Sequence, residues 1–331
     1  MKYIPELTGL RGLAVLLVFI SHAFKDGLIP GGFGISYGTQ GVLLFFTLSG
    51  YLMGRIYLEQ KFNSQTVLTY ALARIGRVFP LYIAVLILSF LISRYIYADF
   101  RYDFTNSFKF ILALLFVKTP YELWSIPIEV QFYLCFILFW YFYSKEKKNK
   151  LILFLIPALI FLPSLLFFIL KHRALAVMPT FSLFFFSGIL ISILKSKAKA
   201  EVVTNKIPVL FSWLILILYL LNLSVLEKIF GLNNIPRWLN IYSVVLLFVF
   251  FTLIVLKPQD FGIFKSKFML FIGKISFGLY VIHRPIMEIM VSYNWDPILT
   301  LLLTFALTIG LAFLIYRFFE IPLSKLISKK I

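Results

Sequence analysis

The sequence contains little of the chemistry that builds disulfide-bonded or metal-dependent proteins. Cys135 is the single cysteine in 331 residues, so intrachain disulfides and a thiolate metal cluster are excluded. Only three histidines occur, His22, His172 and His283, and none has the HExxH spacing of a zinc-binding helix. These absences argue against a dedicated metal site, and we predict no metal cofactor.

The sequence also lacks the linkers that separate domains and the cleavable signals that direct export. It has no Gly/Ser-rich or Pro-rich linker, no low-complexity tract and no obvious repeat, so residues 1–331 are predicted to form one integral membrane domain without a fused soluble domain. No small-x-small cleavage site follows Phe24, and Arg11 interrupts the first apolar run. The N-terminus therefore does not resemble a cleaved signal peptide.

The chain is instead rich in apolar residues. Hydrophobic residues make up 61% of it, mean hydropathy is +0.95, and there are 39 Phe and 18 Tyr. This is the composition of a multi-pass helical protein whose main partner is the lipid bilayer. The net charge of +18 comes largely from Lys and Arg in short gaps between apolar runs. Because no basic soluble module is present, we do not expect nucleic-acid binding.

Apolar runs of membrane-spanning length recur along the whole chain. We predict an all-α, polytopic membrane helical bundle of about ten transmembrane helices. The apolar stretch Phe108–Val117 is too short to cross, and we interpret it as an interfacial or re-entrant segment. The predicted spans are residues 7–25, 38–57, 75–97, 124–144, 150–170, 178–195, 207–223, 238–256, 268–291 and 297–318.

The charges of the connecting segments predict the orientation. If the N-terminus lies in the cytoplasm, twenty Lys and Arg residues fall on the cytoplasmic side and nine on the other side. This excess follows the positive-inside rule. We therefore predict a multi-pass protein of the cell membrane with both termini in the cytoplasm.

Arg11 and His22 lie in the first apolar run, where lipid would disfavour them. Their separation of eleven residues is about three helical turns plus 20°, so both side chains face the same side of one helix, about 16 Å apart along its axis. An ionisable residue inside a spanning helix usually faces a protein interior or a water-filled cavity. This pair is the first indication of a functional site.

The predicted orientation assigns two levels to the other polar residues. His22, Glu129 and His283 fall in the outer half of their helices, with Tyr280 one turn below His283. An imidazole and a carboxylate at one level suit proton transfer or nucleophilic attack. The inner level contains guanidinium groups that bind phosphate, so a donor with a phosphate head and a long arm, such as a coenzyme A ester, could join the two levels. The inner set is Arg11, Arg74, Arg77, Arg317 and Glu320.

Each of these residues also has a structural explanation. Arg11 could extend to the lipid headgroups or pair with Glu320, and His22 could be a hydrogen-bonding helix residue. Glu129 could cap or bridge helices, and His283 could satisfy backbone groups freed by Pro285. Arg74 and Arg77 could be positive-inside anchors. A transporter or flippase would also carry intramembrane charges, and a non-catalytic scaffold would tolerate their replacement.

Six motifs, in order, resemble those of the acyltransferase 3 family of membrane acyltransferases, and the resemblance covers nearly the whole chain. Each motif is degenerate alone, and Tyr51 stands where the family usually has Phe. The motifs are Glu6–Gly12 with His22 (R-x10-H), Phe45–Leu52 (FFxLSGFL), Arg74–Tyr82 (RxxRixPxY), Trp124–Tyr133 (WSLxxExQFY), Ser276–Pro285 (SYxxYLxHxP) and Glu320–Leu323 (ExP).

The resemblance implies an enzyme that moves an acyl group, usually acetyl, from cytoplasmic acyl-coenzyme A to a hydroxyl of an exported glycan or related acceptor. It implies that Arg11 and His22 form the essential pair, that Arg74 and Arg77 help to hold the coenzyme phosphates, and that Glu129 lies in the catalytic cavity. His283 is a third catalytic candidate beside His22 and Glu129. The other residues that we expect in the cavity, all from these motifs, are Ser49, Trp124, Ser125, Tyr133, Tyr280 and Glu320.

Some relatives in this family carry a fused extracytoplasmic domain that completes the transfer. No such domain is recognisable in this sequence. We therefore expect that the chain either acylates the final acceptor itself or passes the group to a separate extracytoplasmic transferase.

Overall fold

The computed structural model describes residues 3–31, 37–97, 100–104, 106–145, 178–197, 207–221 and 241–328. Within these ranges the chain forms helices joined by turns, without strands, which confirms the all-α prediction. The predicted span at residues 150–170 lies outside the described residues.

Twelve α-helices occur in the described ranges. A 3-10 turn (Tyr121–Trp124) precedes α5, a 3-10 stretch (Pro258–Lys265) follows α8, and a π-helical turn (Tyr316–Glu320) follows α11. The helices are α1 Pro5–Lys25, α2 Tyr37–Tyr57, α3 Ser64–Tyr95, α4 Ser107–Leu114, α5 Ser125–Lys145, α6 Met178–Lys197, α7 Val209–Leu221, α8 Ile241–Leu256, α9 Lys267–Lys274, α10 Ser276–Ser292, α11 Pro297–Ile315 and α12 Ile321–Ser328.

Fewer helices than predicted are long and apolar enough to cross a membrane. Among the described residues four qualify, and the bent pair Ser243–Leu256 with Pro258–Lys265 makes a possible fifth. The prediction of a membrane bundle is therefore supported, but the number of about ten spans is not confirmed. The four helices are Pro5–Lys25, Ser64–Tyr95, Tyr121–Lys145 and Pro297–Leu323.

Helix α3 is longer than its sequence pattern predicts. It begins at Ser64, eleven residues before the predicted start, and runs for 32 residues. The side chain of Asn63 accepts the Thr66 amide at 2.9 Å, and the Thr66 hydroxyl accepts the Asn63 amide at 3.2 Å. This capping box starts the helix in polar sequence, which an apolar-run criterion cannot detect.

The predicted span 268–291 is two helices and not one. Helix α9 ends at Lys274, and α10 begins at Ser276 after Ile275 adopts a non-helical conformation. By its internal contacts the chain forms two compact units, and the division falls between these helices. The first unit is Met1–Lys25, Pro30–Ile56 and Phe181–Lys274, and the second is Asp26–Ile29, Tyr57–Thr180 and Ile275–Ile331.

In the first unit, helices approach closely wherever glycine removes the side chain between them. A β-carbon on Gly9 would overlap the carbonyl oxygen of Phe264, and one on Gly273 would overlap that of Thr8, so α1 lies directly against α9 and the turn before it. Helices α2 and α6 cross in the same way, because a β-carbon on Gly50 would overlap the carbonyl oxygen of Phe185. Such contacts are typical of helices that pack within lipid.

In the second unit, α4 and α5 follow α3 in the opposite direction, one after the other. The chain between them turns against Phe79 and Tyr82, midway along α3. Both interpretations of the short segment, interfacial and re-entrant, stay predictions. From the C-terminal to the N-terminal end of α3, the contacts are Phe90–Phe110, Tyr82–Ala113, Tyr70–Tyr133 and Tyr70–Phe136.

Candidate active site

Arg11 and His22 lie on one uninterrupted helix of the first unit. Helix α1 runs from Pro5 to Lys25, so the predicted spacing on a shared side, about 16 Å along the axis, applies without a kink. Both side chains are partly exposed, whereas most of the helix is buried. The first unit also contains Ser49, which is buried in α2 beside the close crossing at Gly50.

The second unit gathers four of the predicted residues between α3 and α5. The Tyr133 hydroxyl donates to Oε1 of Glu129 at 2.6 Å, and the Arg74 guanidinium lies 5.9 Å from the centre of the Tyr133 ring. Arg77 is close enough to act electrostatically on the same tyrosine. The Tyr70 hydroxyl donates to the carbonyl of Tyr133 at 2.9 Å, which fixes the two helices against each other.

These contacts correct the predicted levels of Glu129 and the arginines. The loop charges predict opposite levels for Arg74 and Glu129, but both residues contact Tyr133, so that separation is wrong. The reason is the early start of α3 at Ser64, which places Arg74 about 15 Å inside the helix and not at its end. A carboxylate and two guanidinium groups therefore share one layer of this unit.

A second group of predicted residues surrounds the start of α5. The Tyr280 hydroxyl accepts a hydrogen bond from Ser125 Oγ at 2.8 Å and donates to the backbone carbonyl of Glu122 at 2.5 Å. Ser125 and Glu129 are one turn apart on α5, and the Glu129 charge acts on Tyr280. The start of α5 therefore connects this group to the arginine layer.

His283 is fully buried on α10 and bonded within its own helix. Its Nδ1 lies 2.7 Å from the carbonyl oxygen of Tyr280. Because a carbonyl only accepts, Nδ1 carries the proton in this arrangement, and Nε2 is the basic nitrogen of the neutral ring. His283 therefore depends on α10 for its orientation.

Pro285 leaves one backbone carbonyl of α10 without its amide partner, and a residue other than His283 bonds to that carbonyl. Pro285 lacks the N–H that would bond to the carbonyl of Val281. That carbonyl accepts the Tyr102 hydroxyl at 2.9 Å instead. Burial raises the pKa of Tyr102 well above its ordinary value, so the hydroxyl keeps the proton that it donates. The suggestion that His283 satisfies the freed carbonyl is therefore not what this structure shows.

Sequence reasoning missed a chain of partly buried ion pairs beside these residues. Arg284 binds both carboxylate oxygens of Asp26, and its Nε lies 3.5 Å from Oε1 of Glu122. Arg101 donates to the same Oε1 at 2.6 Å. Burial would lower the pKa of Arg101, but its hydrogen bond and charge contact with Glu122 raise that pKa overall. Arg284 could have been found, because it is an arginine inside an apolar helix, whereas the other three resemble ordinary loop charges.

The remaining candidates occupy separate places. Trp124 ends the 3-10 turn before α5 and is partly exposed, whereas Ser125 is buried. Glu320 ends the π-helical turn, and its Oε1 would lie 3.4 Å from a β-carbon on Gly278 of α10. Within the described ranges, no group of three His, Cys, Asp or Glu side chains is arranged to hold a metal ion.

Comparison with known proteins identifies the family to which these motifs belong. A family model described as an acyltransferase domain matches residues 4–317. The chain belongs to this acyltransferase family. The match includes every site residue named above except Glu320, and the family resemblance stated from the sequence is confirmed.

Relatives of this chain occur in Staphylococcus aureus. A protein of strain COL, provisionally named an O-acetyltransferase, is 27% identical over 359 residues, which covers 98% of this chain and 58% of the relative. O-acetyltransferase OatA of strain NCTC 8325 is 26% identical over 365 residues with the same coverage. The chain thus spans little more than half the length of these curated relatives. No solved structure matches it.

Proposed function

We propose that this protein transfers an acetyl group from acetyl-coenzyme A to a hydroxyl of an extracytoplasmic glycan or related acceptor. Family membership and the names of the relatives support O-acetyl transfer. The observation that carries the proposal is the pair Arg11 and His22 on one unbroken helix of an acyltransferase-family chain. We assign the protein to the cell membrane with both termini in the cytoplasm, on the basis of loop charge.

Coenzyme A suits this set of residues because it carries phosphates at one end and its thioester at the end of a long arm. We assign phosphate binding to Arg11, Arg74 and Arg77, since guanidinium groups bind phosphate oxygens in pairs. Arg74 supports this role because its guanidinium lies over the Tyr133 ring at 5.9 Å, in one layer with Arg77.

His22 has two chemically complete roles. As a general base it takes the acceptor's hydroxyl proton while the oxygen attacks the thioester carbonyl; the C–S bond then breaks and coenzyme A leaves as a thiol. As a nucleophile it first forms an acyl-imidazole with release of coenzyme A, and the acceptor hydroxyl then takes the acyl group. We retain His283 as a candidate proton acceptor. Glu129 lies in one layer with Arg74 and Arg77, so it takes that role only if the thioester also reaches this layer. The acceptor is acylated by this chain or by a separate extracytoplasmic transferase.

Purified protein in lipid nanodiscs, supplied with acetyl-coenzyme A and with envelope glycans as the hydroxyl acceptor, tests the donor. We expect wild-type protein to cleave the thioester, and His22→Ala to lower the rate by about 10²–10⁴-fold while the protein remains folded. Arg11→Ala should raise KM for acetyl-coenzyme A. The exposed Lys274 of the first unit provides a control, and Lys274→Ala should match wild type.

Three results would contradict parts of this proposal. An intact thioester with wild-type protein would favour a transporter or flippase, and an active His22→Ala protein would remove the role of the imidazole. Unchanged donor saturation in Arg11→Ala would favour simple headgroup contact.

Two further experiments address the route and the acceptor. Rapid quenching that traps an acyl-histidine distinguishes the two routes. Mass analysis of envelope glycans after gene deletion should show a lost acetyl increment and so identifies the acceptor.

A further inference from the structure

The path formed by α4 and α5 is interrupted beside the middle of α3. Helix α4 ends at Leu114, and two residues of the connection, Phe116 and Tyr121, have positive φ angles of 54° and 48°. Such angles are strained for aromatic residues and persist only where surrounding contacts impose them. Gln131 of α5 donates to the carbonyl of Phe116 at 3.0 Å.

Glu122 makes the central contacts at this interruption. Its side chain is 9% exposed and lies between two guanidinium groups, with Arg101 at 2.6 Å and Arg284 at 3.5 Å. Its backbone carbonyl accepts the Tyr280 hydroxyl, which in turn accepts Ser125 Oγ. One residue therefore joins the buried charges to the hydroxyl pair of the candidate site.

The ion pairs around Glu122 are a costly way to stabilise a fold. Removing charged groups from water costs several kcal/mol per ion in general, and apolar replacements are often equally stable. Where such a network is present, the hypothesis to test is that it favours one conformation over competing ones. Here the held arrangement consists of the first turn of α5, with Ser125 and Glu129, and the Tyr280–His283 turn of α10.

We propose that Glu122 is a positioning residue for the acyl transfer, acting through Ser125 and Tyr280. The proposal rests on the proposed function. The carboxylate of Glu122, clamped by Arg101 and Arg284, fixes its own backbone carbonyl, and that carbonyl fixes the Tyr280 hydroxyl. The same clamp sets the direction in which α5 leaves the interruption and therefore the place of Glu129, one turn after Ser125.

Replacing Glu122 with its neutral near-isostere tests this role. In nanodiscs, Glu122→Gln should lower kcat for thioester cleavage at least tenfold and leave KM for acetyl-coenzyme A within twofold of wild type, because donor binding is assigned to other residues. Glu122→Asp keeps the charge on a shorter side chain, so it should restore part of kcat at the same KM. Asp103→Asn is the matched control, because Asp103 pairs with the exposed Lys109 at 3.0 Å in the same region, and it should retain full kcat.

The outcomes separate this proposal from the proposed function. If wild-type protein does not cleave acetyl-coenzyme A, the proposed function falls and this proposal falls with it. If wild type is active and Glu122→Gln keeps kcat per folded molecule, only the positioning role is overturned. A raised KM with unchanged kcat would also overturn it. If Glu122→Gln does not fold, Glu122→Asp decides, because a folded Asp variant with full kcat would contradict the requirement for geometry.

Discussion

The glycine crossings of the first unit and the start of α5 in the second unit hold helices together by different means. In the first unit the closest contacts form where side chains are missing, as at Gly9, Gly50 and Gly273, so that backbones touch. In the second unit the contacts around the start of α5 are made by side chains that supply a partner, namely charges, tyrosine hydroxyls and stacked rings. The glycine crossings therefore have no room for an added β-carbon, whereas the start of α5 depends on its polar groups.

This difference teaches where the polar chemistry of a membrane protein can be placed. Glycine contacts hold helices at short distance without bringing polar groups into the interior. They leave Arg11 and His22 as partly exposed ionisable side chains on α1, a helix that is otherwise mostly buried. In the second unit the polar groups hold the structure and also form the candidate site, so structural and functional effects have to be separated experimentally.

The largest predicted effect concerns the ion pairs of the second unit. Arg284→Met removes a guanidinium that is 6% exposed and bound to Asp26. Loss of the guanidinium leaves Asp26, which is 15% exposed, without this partner, and we expect the free energy of unfolding to fall by about 3 kcal/mol. Denaturant unfolding in one detergent measures the change. Lys109→Met breaks a surface pair whose lysine is 54% exposed, and it should cost less than about 1 kcal/mol. Equal losses in the two variants would contradict the contrast.

A smaller effect is predicted for the glycine crossing of the first unit. Gly50→Ala places a β-carbon against the carbonyl oxygen of Phe185, and α2 and α6 have to separate. We expect a loss of about 1–3 kcal/mol in unfolding free energy. Gly310→Ala in α11 is the control, because no atom lies within 4 Å of its β-carbon position, and the better helix former should stabilise by up to about 1 kcal/mol. A neutral Gly50→Ala would show that the crossing has spare room.

The smallest predicted effect is a coupling of about 0.5 kcal/mol between the Tyr102 hydroxyl and Pro285 of α10. Tyr102→Phe removes the donor to Val281 and should cost about 1–3 kcal/mol by leaving a buried carbonyl without a partner. Pro285→Ala supplies a backbone N–H to the same carbonyl. In that background Tyr102→Phe should cost at least about 0.5 kcal/mol less, as a double-mutant cycle measures. Strict additivity would mean that the tyrosine and the proline act independently.

The sequence predicts best where one helix contains the whole pattern. The predicted first span at 7–25 matches α1, so the shared side of Arg11 and His22 followed from spacing alone. The second predicted span likewise matches α2 within one residue at its start. Apolar periodicity and length determine such helices without reference to neighbours.

The prediction failed where contacts with other parts of the chain determine the structure. The start of α3 is set by a polar cap, and its place beside α5 brings Arg74 to the layer of Glu129. The division at Ile275 interrupts an apolar run, and hydropathy alone does not detect such an interruption. Asp26, Arg101 and Glu122 became recognisable only through their contacts with Arg284, because charge in a connecting segment is ordinarily exposed.

The bond between Tyr102 and Val281 has a consequence for the order of assembly. The two residues are separated by 179 positions, so the ribosome delivers the hydroxyl long before its acceptor exists. Helix α10 therefore cannot satisfy its own backbone when it first forms, and this last hydrogen bond requires that a segment synthesised far earlier is already correctly placed. A substitution near Tyr102 should accordingly cause misassembly of the C-terminal helices at a late stage, after the N-terminal helices have assembled normally.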